Sequence, residues 1–270
     1  MIRRVLAIVL IVLCVSSPTG IEAWPVHGNA NTVIRIMPLG DSITQGLNTS
    51  YGSYRRLLYS LLIANGVNVE FVGDLSDGTF PSPMHEGLTG YYIDGIRGQV
   101  TFNSIIERNN PSIILLLIGT NDIWHGPTDT PTETPSDALT LLGLLLSGDI
   151  TTHGPNVKVI VASIPPIASF VAGPTVSSNV NVYNAGIPAA VAAAGANFSF
   201  VDVNAALTTS DLVDGVHPTD AGNDKIAPVW LAGILAVLLG NCGGGGLLVT
   251  SSTDCSNVLQ SGGGDNLTPN

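Results

Sequence analysis

Three residues of this chain have types and spacing that could open an ester: Ser42, Asp214 and His217. A serine hydroxyl is a weak nucleophile until a base accepts its proton. An imidazole becomes that base when a carboxylate holds its other nitrogen. The stretch "DGVHPTDAG" sets Asp214 three residues before His217, close enough to meet on one turn of chain. Pro218 biases His217 away from helical geometry and can open the helix that follows. Read alone, Asp214 and His217 serve equally well as turn and cap residues, and Ser42 in "IMPLGDSITQG" serves equally well as part of a turn.

Acyl transfer also needs donors for the oxygen that becomes negative. Three are on offer: the backbone N–H of Ser42, the N–H of Gly90 in "GLTGYY", and the side-chain amide of Asn121 in "IGTNDI". Gly90 has no side chain to keep a ligand at a distance. Asp41 reads as holding the serine turn through local hydrogen bonds, and with Tyr91 and Trp124 it is a candidate for the substrate-binding edge. Trp124, followed by His125, could stack on a sugar ring or pack beneath its own loop. His85 and Glu86 line a cleft or sit on a solvated loop. Arg97 and Asp94 read as a surface pair.

These residues need a scaffold, and the apolar pattern supplies one. Residues 33–39, 67–73, 111–122, 157–166 and 198–203 read as five strands, the third a continuous apolar run of the kind buried on both faces. Between them lie helical patterns at 51–66, 93–110, 135–148 (Ser136 as N-cap), 176–195 (with Pro188 as a kink) and 218–240. Residues 74–90 read as a Gly/Pro/Ser-rich loop. The alternation predicts an α/β fold, a three-layer α/β/α sandwich around a mainly parallel five-stranded sheet. Function in such sheets gathers at the carboxyl ends of the strands, where Ser42 and Asn121 fall.

The 270 residues are 45% hydrophobic and only 11% charged, a globular composition. A net charge of −11 disfavours nucleic acid and anionic membrane surfaces, while an uncharged polymer is indifferent to it. Arg3 and Arg4, an apolar run over 5–15 and a small residue at Ala23 have the layout of a secretory signal peptide. That run is about half the ~20 residues of a membrane span, and no later segment is expected to span. The expectation is a secreted, extracellular chain starting near Trp24, with a domain over 24–240 and a Gly/Ser-rich tail over 241–270. Cys14 leaves with the leader, so Cys242 and Cys255 are expected to form a disulfide. Sequons at Asn48, Asn197 and Asn266 agree with export.

Gly40-Asp41-Ser42, Gly90, Gly119-Thr120-Asn121-Asp122 and Asp214-Gly215-Val216-His217 together resemble the four blocks of the SGNH, or GDSL-type, hydrolases, in order and over roughly residues 33–240. "IMPLGDSIT", "HEGLTGY", "LLLIGTNDI" and "DGVHPTDAG" are similar to carbohydrate esterase family 3, the acetyl xylan esterases. The resemblance implies Ser42 as nucleophile, His217 as base, Asp214 as its orienting acid, and Ser42, Gly90 and Asn121 as the oxyanion hole. Tyr91 stands where that family often carries Trp. The expected partner is an acetylated polysaccharide or oligosaccharide, acted on by a monomer with no cofactor and no metal. The competing readings are a lipid acyl hydrolase of the same fold, a metal phosphoesterase using Asp41, Asp122, Asp214 and His217, and a carbohydrate-binding protein without catalysis.

Overall fold

The computed structural model describes residues 33–50, 52–124 and 134–240. The leader, His125, the Cys242–Cys255 pairing, the tail and the Asn266 sequon lie outside the described residues. In chain order the elements are β1 (Ile34–Gly40), α1 (Ser42–Gln45), α2 (Arg55–Ala64), β2 (Val69–Phe71), β3 (Leu75–Ser76), β4 (Met84–Gly87), α3 (Ile93–Asn103), α4 (Ile105–Asn109), β5 (Ile113–Leu117), α5 (Thr120–Trp124), α6 (Pro135–Gly143), α7 (Thr151–His153), β6 (Lys158–Ala162), α8 (Ser169–Ala194), β7 (Phe198–Val201) and α9 (Asp220–Leu238). A π-helical stretch, Leu144–Ile150, joins α6 to α7.

The expected α/β/α architecture is present, with a mainly parallel sheet in the order β3-β4-β1-β5-β6-β7. β1 is central. It pairs with β5 along Ile36–Gly40, and on its other edge with β2 and then β4, all parallel. The five predicted strands are joined by two short ones, β3 and β4, which form an antiparallel pair inside the expected loop. Two- and four-residue strands in a stretch broken by Pro81 and Pro83 carry no readable alternation.

Side chains alternate across the sheet. Met37, Leu39, Ile114 and Leu116 face one layer, where Ile93, Ile96 and Val100 of α3 and Tyr183 and Ile187 of α8 are buried. Ile36, Ile113, Leu115 and Leu117 face the other, built from Leu58 and Leu62 of α2 and Ile226, Trp230 and Ile234 of α9. α9 is long and apolar enough to cross a membrane by length and composition, contrary to expectation. It lies against the sheet instead, with Trp230 fully buried beside the Tyr54 ring.

Helix ends and breaks depart from expectation in four places. Thr134, not Ser136, caps α6: Pro135 fills the first helical position and Thr134 and Asp137 form a reciprocal capping box. The 93–110 helix splits at Ser104, which has φ +52°. In α8 the backbone leaves helical geometry at Gly173, not at Pro188. Thr219 caps α9, one residue beyond Pro218.

Candidate active site

β1 ends at Gly40 for want of space. A Cβ there would stand 2.1 Å from the Leu117 carbonyl oxygen of β5, closer than any side chain tolerates. Asp41 then caps α1, accepting the Ile43 N–H at 2.9 Å. Asp41 is fully buried, and burial pushes its carboxyl up to about 6. Thr120 is its neighbour, yet neither Asp41 Oδ2 nor Thr120 Oγ1 has a hydrogen-bond partner of good geometry. Its place is under the serine turn and away from any substrate-facing edge. Ser42 is the first residue of α1, so its N–H has no partner within the helix.

The side chain of Ser42 meets His217: Oγ and Nε2 are 2.9 Å apart, 175 residues apart in sequence. The His217 ring is placed by a tight loop closed by the Val213 N–H donating to the His217 carbonyl at 2.8 Å. Gly215, φ +88°, makes the bend. Asp214 Oδ1 accepts the N–H groups of Val216 (3.0 Å) and His217 (2.8 Å), while Oδ2 lies 2.7 Å from His217 Nδ1. Burial works against the Asp214 charge, but these donors win and hold its carboxyl below the usual range. The Nδ1 contact with an ionised carboxylate puts the ring proton on Nδ1 and leaves Nε2 free to accept the Ser42 proton.

A residue not anticipated joins them. Asn48, read in the sequence only as a sequon, donates Nδ2 to Asp214 Oδ2 at 3.0 Å. It sits at φ +62°, just beyond the Gly46 bend that ends α1.

Two hydrogen bonds tie the segments that carry the oxyanion candidates together. The Leu88 N–H donates to the Gly40 carbonyl at 2.9 Å, docking the Gly90 loop on the end of β1. Gly90 has φ +75°, and a Cβ there would point into open space, so backbone conformation is what requires glycine. Asn121 Nδ2 donates to the Tyr91 carbonyl at 2.8 Å, one residue from Gly90. One amide hydrogen is thereby used, and the second has no partner among the described residues. Gly119 before it has φ +118°, with the Tyr183 hydroxyl where a Cβ would stand.

The remaining candidates are accounted for differently. Tyr91 is half-buried, its ring over Gly95 and its hydroxyl accepting from Gln99. Trp124 is half-buried against the core. His85 and Glu86 are buried on β4 and not on a solvated loop. Asp122 spends both oxygens on the Ile93 N–H at the start of α3, and among the described residues no three His, Cys, Asp or Glu side chains converge as a metal site would need. Arg97 pairs with Asp94 as expected, and also with Asp149 at 2.7 Å.

Sequence reading also missed Arg55. Fully buried, it donates to the carbonyls of Thr44 (3.1 Å), Gln45 (3.0 Å), Asp77 (3.0 Å) and Pro83 (2.6 Å). Burial lowers it only to about 10, so it stays charged at neutral pH. Ser53 and Asn223 were missed too. Ser53 Oγ lies 2.8 Å from the Ile43 carbonyl and 3.1 Å from Asn223 Oδ1, and Asn223 Nδ2 donates to the carbonyls of Pro218 and Thr219.

With this geometry established, similarity to known proteins is informative. Residues 39–225 match the GDSL-like lipase/acylhydrolase family. A multidomain esterase of Ruminococcus flavefaciens is 30% identical in an alignment 243 positions long that covers 81% of this chain and 31% of that protein, so the chain spans about a third of that relative. A family 3 carbohydrate esterase of Clostridium thermocellum superposes with a TM-score of 0.62 at 30% identity, over 77% of this chain and all of the other. A carbohydrate esterase family 3 structure from Talaromyces cellulolyticus gives 0.63 at 25%, over 76% and 98%.

Proposed function

Because the chain belongs to the GDSL-like lipase/acylhydrolase family, we propose that it is a secreted serine esterase that removes acetyl groups from carbohydrate, with acetylated xylan as the leading substrate. The observation that carries this reading is the 2.9 Å approach of Ser42 Oγ to His217 Nε2, with Asp214 on the opposite ring nitrogen. Ser42 Oγ attacks the acetyl carbonyl carbon while its proton passes to His217 Nε2. The carbonyl oxygen becomes an oxyanion that the N–H groups of Ser42 and Gly90 and the spare Asn121 amide hydrogen receive. The ester C–O bond then breaks. The sugar oxygen leaves with the proton from His217, and the acetyl group stays on Ser42. Water, deprotonated by His217, hydrolyses that ester and releases acetate. Asp214 stays ionised and holds the imidazolium.

The sugar ester is favoured by the two family 3 carbohydrate esterases among the similar structures. The test is acetate release from acetylated xylan by wild type and Ser42→Ala, with a long-chain ester alongside. Loss of the nucleophile is expected to cost on the order of a millionfold in kcat. Activity retained by Ser42→Ala removes the serine mechanism. Cleavage of the long-chain ester alone keeps the esterase and moves the substrate to lipid.

A further inference from the structure

One face of α3 is built unlike the rest of the molecule. Its buried face carries Ile93, Ile96 and Val100. The outward positions Gly95, Gly98, Gln99, Phe102 and Asn103 follow the helical spacing i, i+3, i+4, i+7, i+8 and share one stripe. They line an open groove of about 440 Å³, within the size range of ligand sites, whose other end is Gly90 and Tyr91. The groove thus runs from the candidate oxyanion loop out along the helix.

Its chemistry is specific. Glycine in a helix costs stability relative to Ala, yet two occur three residues apart. Tyr91 explains Gly95, where a Cβ would lie 2.9 Å from its ring. Nothing explains Gly98, whose Cβ would find only Phe102, 3.9 Å away. Phe102 is 87% exposed, the highest value among the large hydrophobic residues described. Asn103 donates to Gln99, and Gln99 to the Tyr91 hydroxyl, a chain of neutral groups that, among the described residues, leaves an amide hydrogen on each donor and the Asn103 side-chain oxygen for a ligand, while the Asn103 backbone carbonyl accepts from Arg108. No charged side chain lines the groove.

We propose that this groove is an extended subsite for the main chain of a neutral polysaccharide, with the ring of Phe102 as stacking platform, the bare backbone at Gly98 giving room for the sugar, and Gln99 and Asn103 meeting its hydroxyls. The proposal rests on the carbohydrate-esterase reading and adds that the enzyme holds the polymer beyond the acetylated unit.

The test uses the full chain as wild type, Phe102→Ala, Gly98→Met and, from the opposite layer, Ile63→Ala. For each, kcat/KM is measured on acetylated xylo-oligosaccharide, on p-nitrophenyl acetate and on a long-chain p-nitrophenyl ester. In Phe102→Ala and Gly98→Met the ratio of oligosaccharide to small-ester kcat/KM is expected to fall about tenfold, through KM, as loss of one aromatic contact implies. Ile63→Ala keeps the ratio. Gly98→Met is also expected to raise Tm by roughly 2–4 °C as a better helix former, so that a loss cannot come from unfolding. An unchanged ratio in both groove variants, with wild type deacetylating the oligosaccharide, overturns the groove alone. A loss confined to the long-chain ester overturns it too, by giving the groove to an acyl chain. A wild type that ignores the oligosaccharide overturns the sugar reading and the groove with it.

Discussion

Ser53 and Asn223 meet in the protein interior, Oγ 3.1 Å from Oδ1, although 170 residues separate them. Ser53 also reaches the carbonyl of Ile43, the residue after Ser42, and Asn223 donates to the carbonyl of Pro218, the residue after His217. This buried pair therefore sets the separation of the proposed nucleophile from its base. Asn223→Ala is expected to lower kcat on a small acetate ester by about 10–100-fold with KM unchanged, since a misplacement of about 1 Å costs on that order. A merely structural role would lower Tm and leave the kcat of the folded fraction alone; active-site titration combined with steady-state kinetics separates the two.

Asp214→Asn, at the centre of the base loop, should cost about 10⁴-fold in kcat by favouring the wrong imidazole tautomer. Asn48→Ala should cost less than tenfold. It removes one donor of several from a carboxylate whose side chain is 41% exposed, where water replaces the lost bond. Kinetics on p-nitrophenyl acetate at pH 7 checks both, and equal losses would show that Asn48 is itself part of the machinery.

Two glycines near Ser42 should respond to different degrees. Gly40→Ala drives a methyl into the Leu117 carbonyl and should destabilise by about 3 kcal/mol or more. Gly90→Ala meets only open space and pays the left-handed strain of about 1–2 kcal/mol. Its Tm should therefore fall by only about 2–8 °C, less than that of Gly40→Ala, while kcat falls as well, because backbone adjustment to the strain turns the N–H away from the proposed oxyanion. Thermal melts and kcat of the two variants decide the matter.

His85 gives a pH signature. Burial, and then the charge of Arg55, lowers its imidazole to about 4, and its Nδ1 accepts the Gly87 N–H at 2.9 Å. Between the ordinary value of about 6.5 and about 4, the unfolded chain binds a proton that the folded one refuses. Stability from this residue is thus complete above about 6.5 and is lost as pH falls toward 4. Buried Glu86, pushed up to about 7 by burial, slopes the other way, so the measurement is a difference: Tm of wild type minus Tm of His85→Gln, which should shrink from pH 7 to pH 4. A constant difference would mean that His85 is not held neutral.

Much of this was legible in the sequence. Apolar runs such as the one that holds β5 announced the sheet, and the short blocks placed Ser42 and Asn121 at strand ends and Gly90 and Asp214–His217 in loops. What stayed hidden depends on the third dimension alone. Arg55 is one of two adjacent arginines that open α2, and nothing in the sequence tells it from Arg56, because its partners are backbone carbonyls, which leave no mark in sequence. Asn48, Ser53 and Asn223 are polar residues of ordinary type whose partners lie 166 to 170 residues away. β3 and β4 were too short to pattern. Thr134 displaced Ser136 as cap because Pro135 fits the first helical turn better than the position before it.

Arg55 carries one more consequence, for transplantation. The carbonyls it gathers come from the last residues of α1, from Asp77 beyond β3 and from Pro83 before β4. The serine turn is thus a rivet through three separate stretches of chain. Residues 36–46 grafted onto another parallel sheet would bring the serine and leave the rivet behind, with two helix-end carbonyls facing an apolar interior. The smallest portable unit is the whole span from β1 through Gly90, which makes the proposed nucleophile a property of nearly sixty residues folded together.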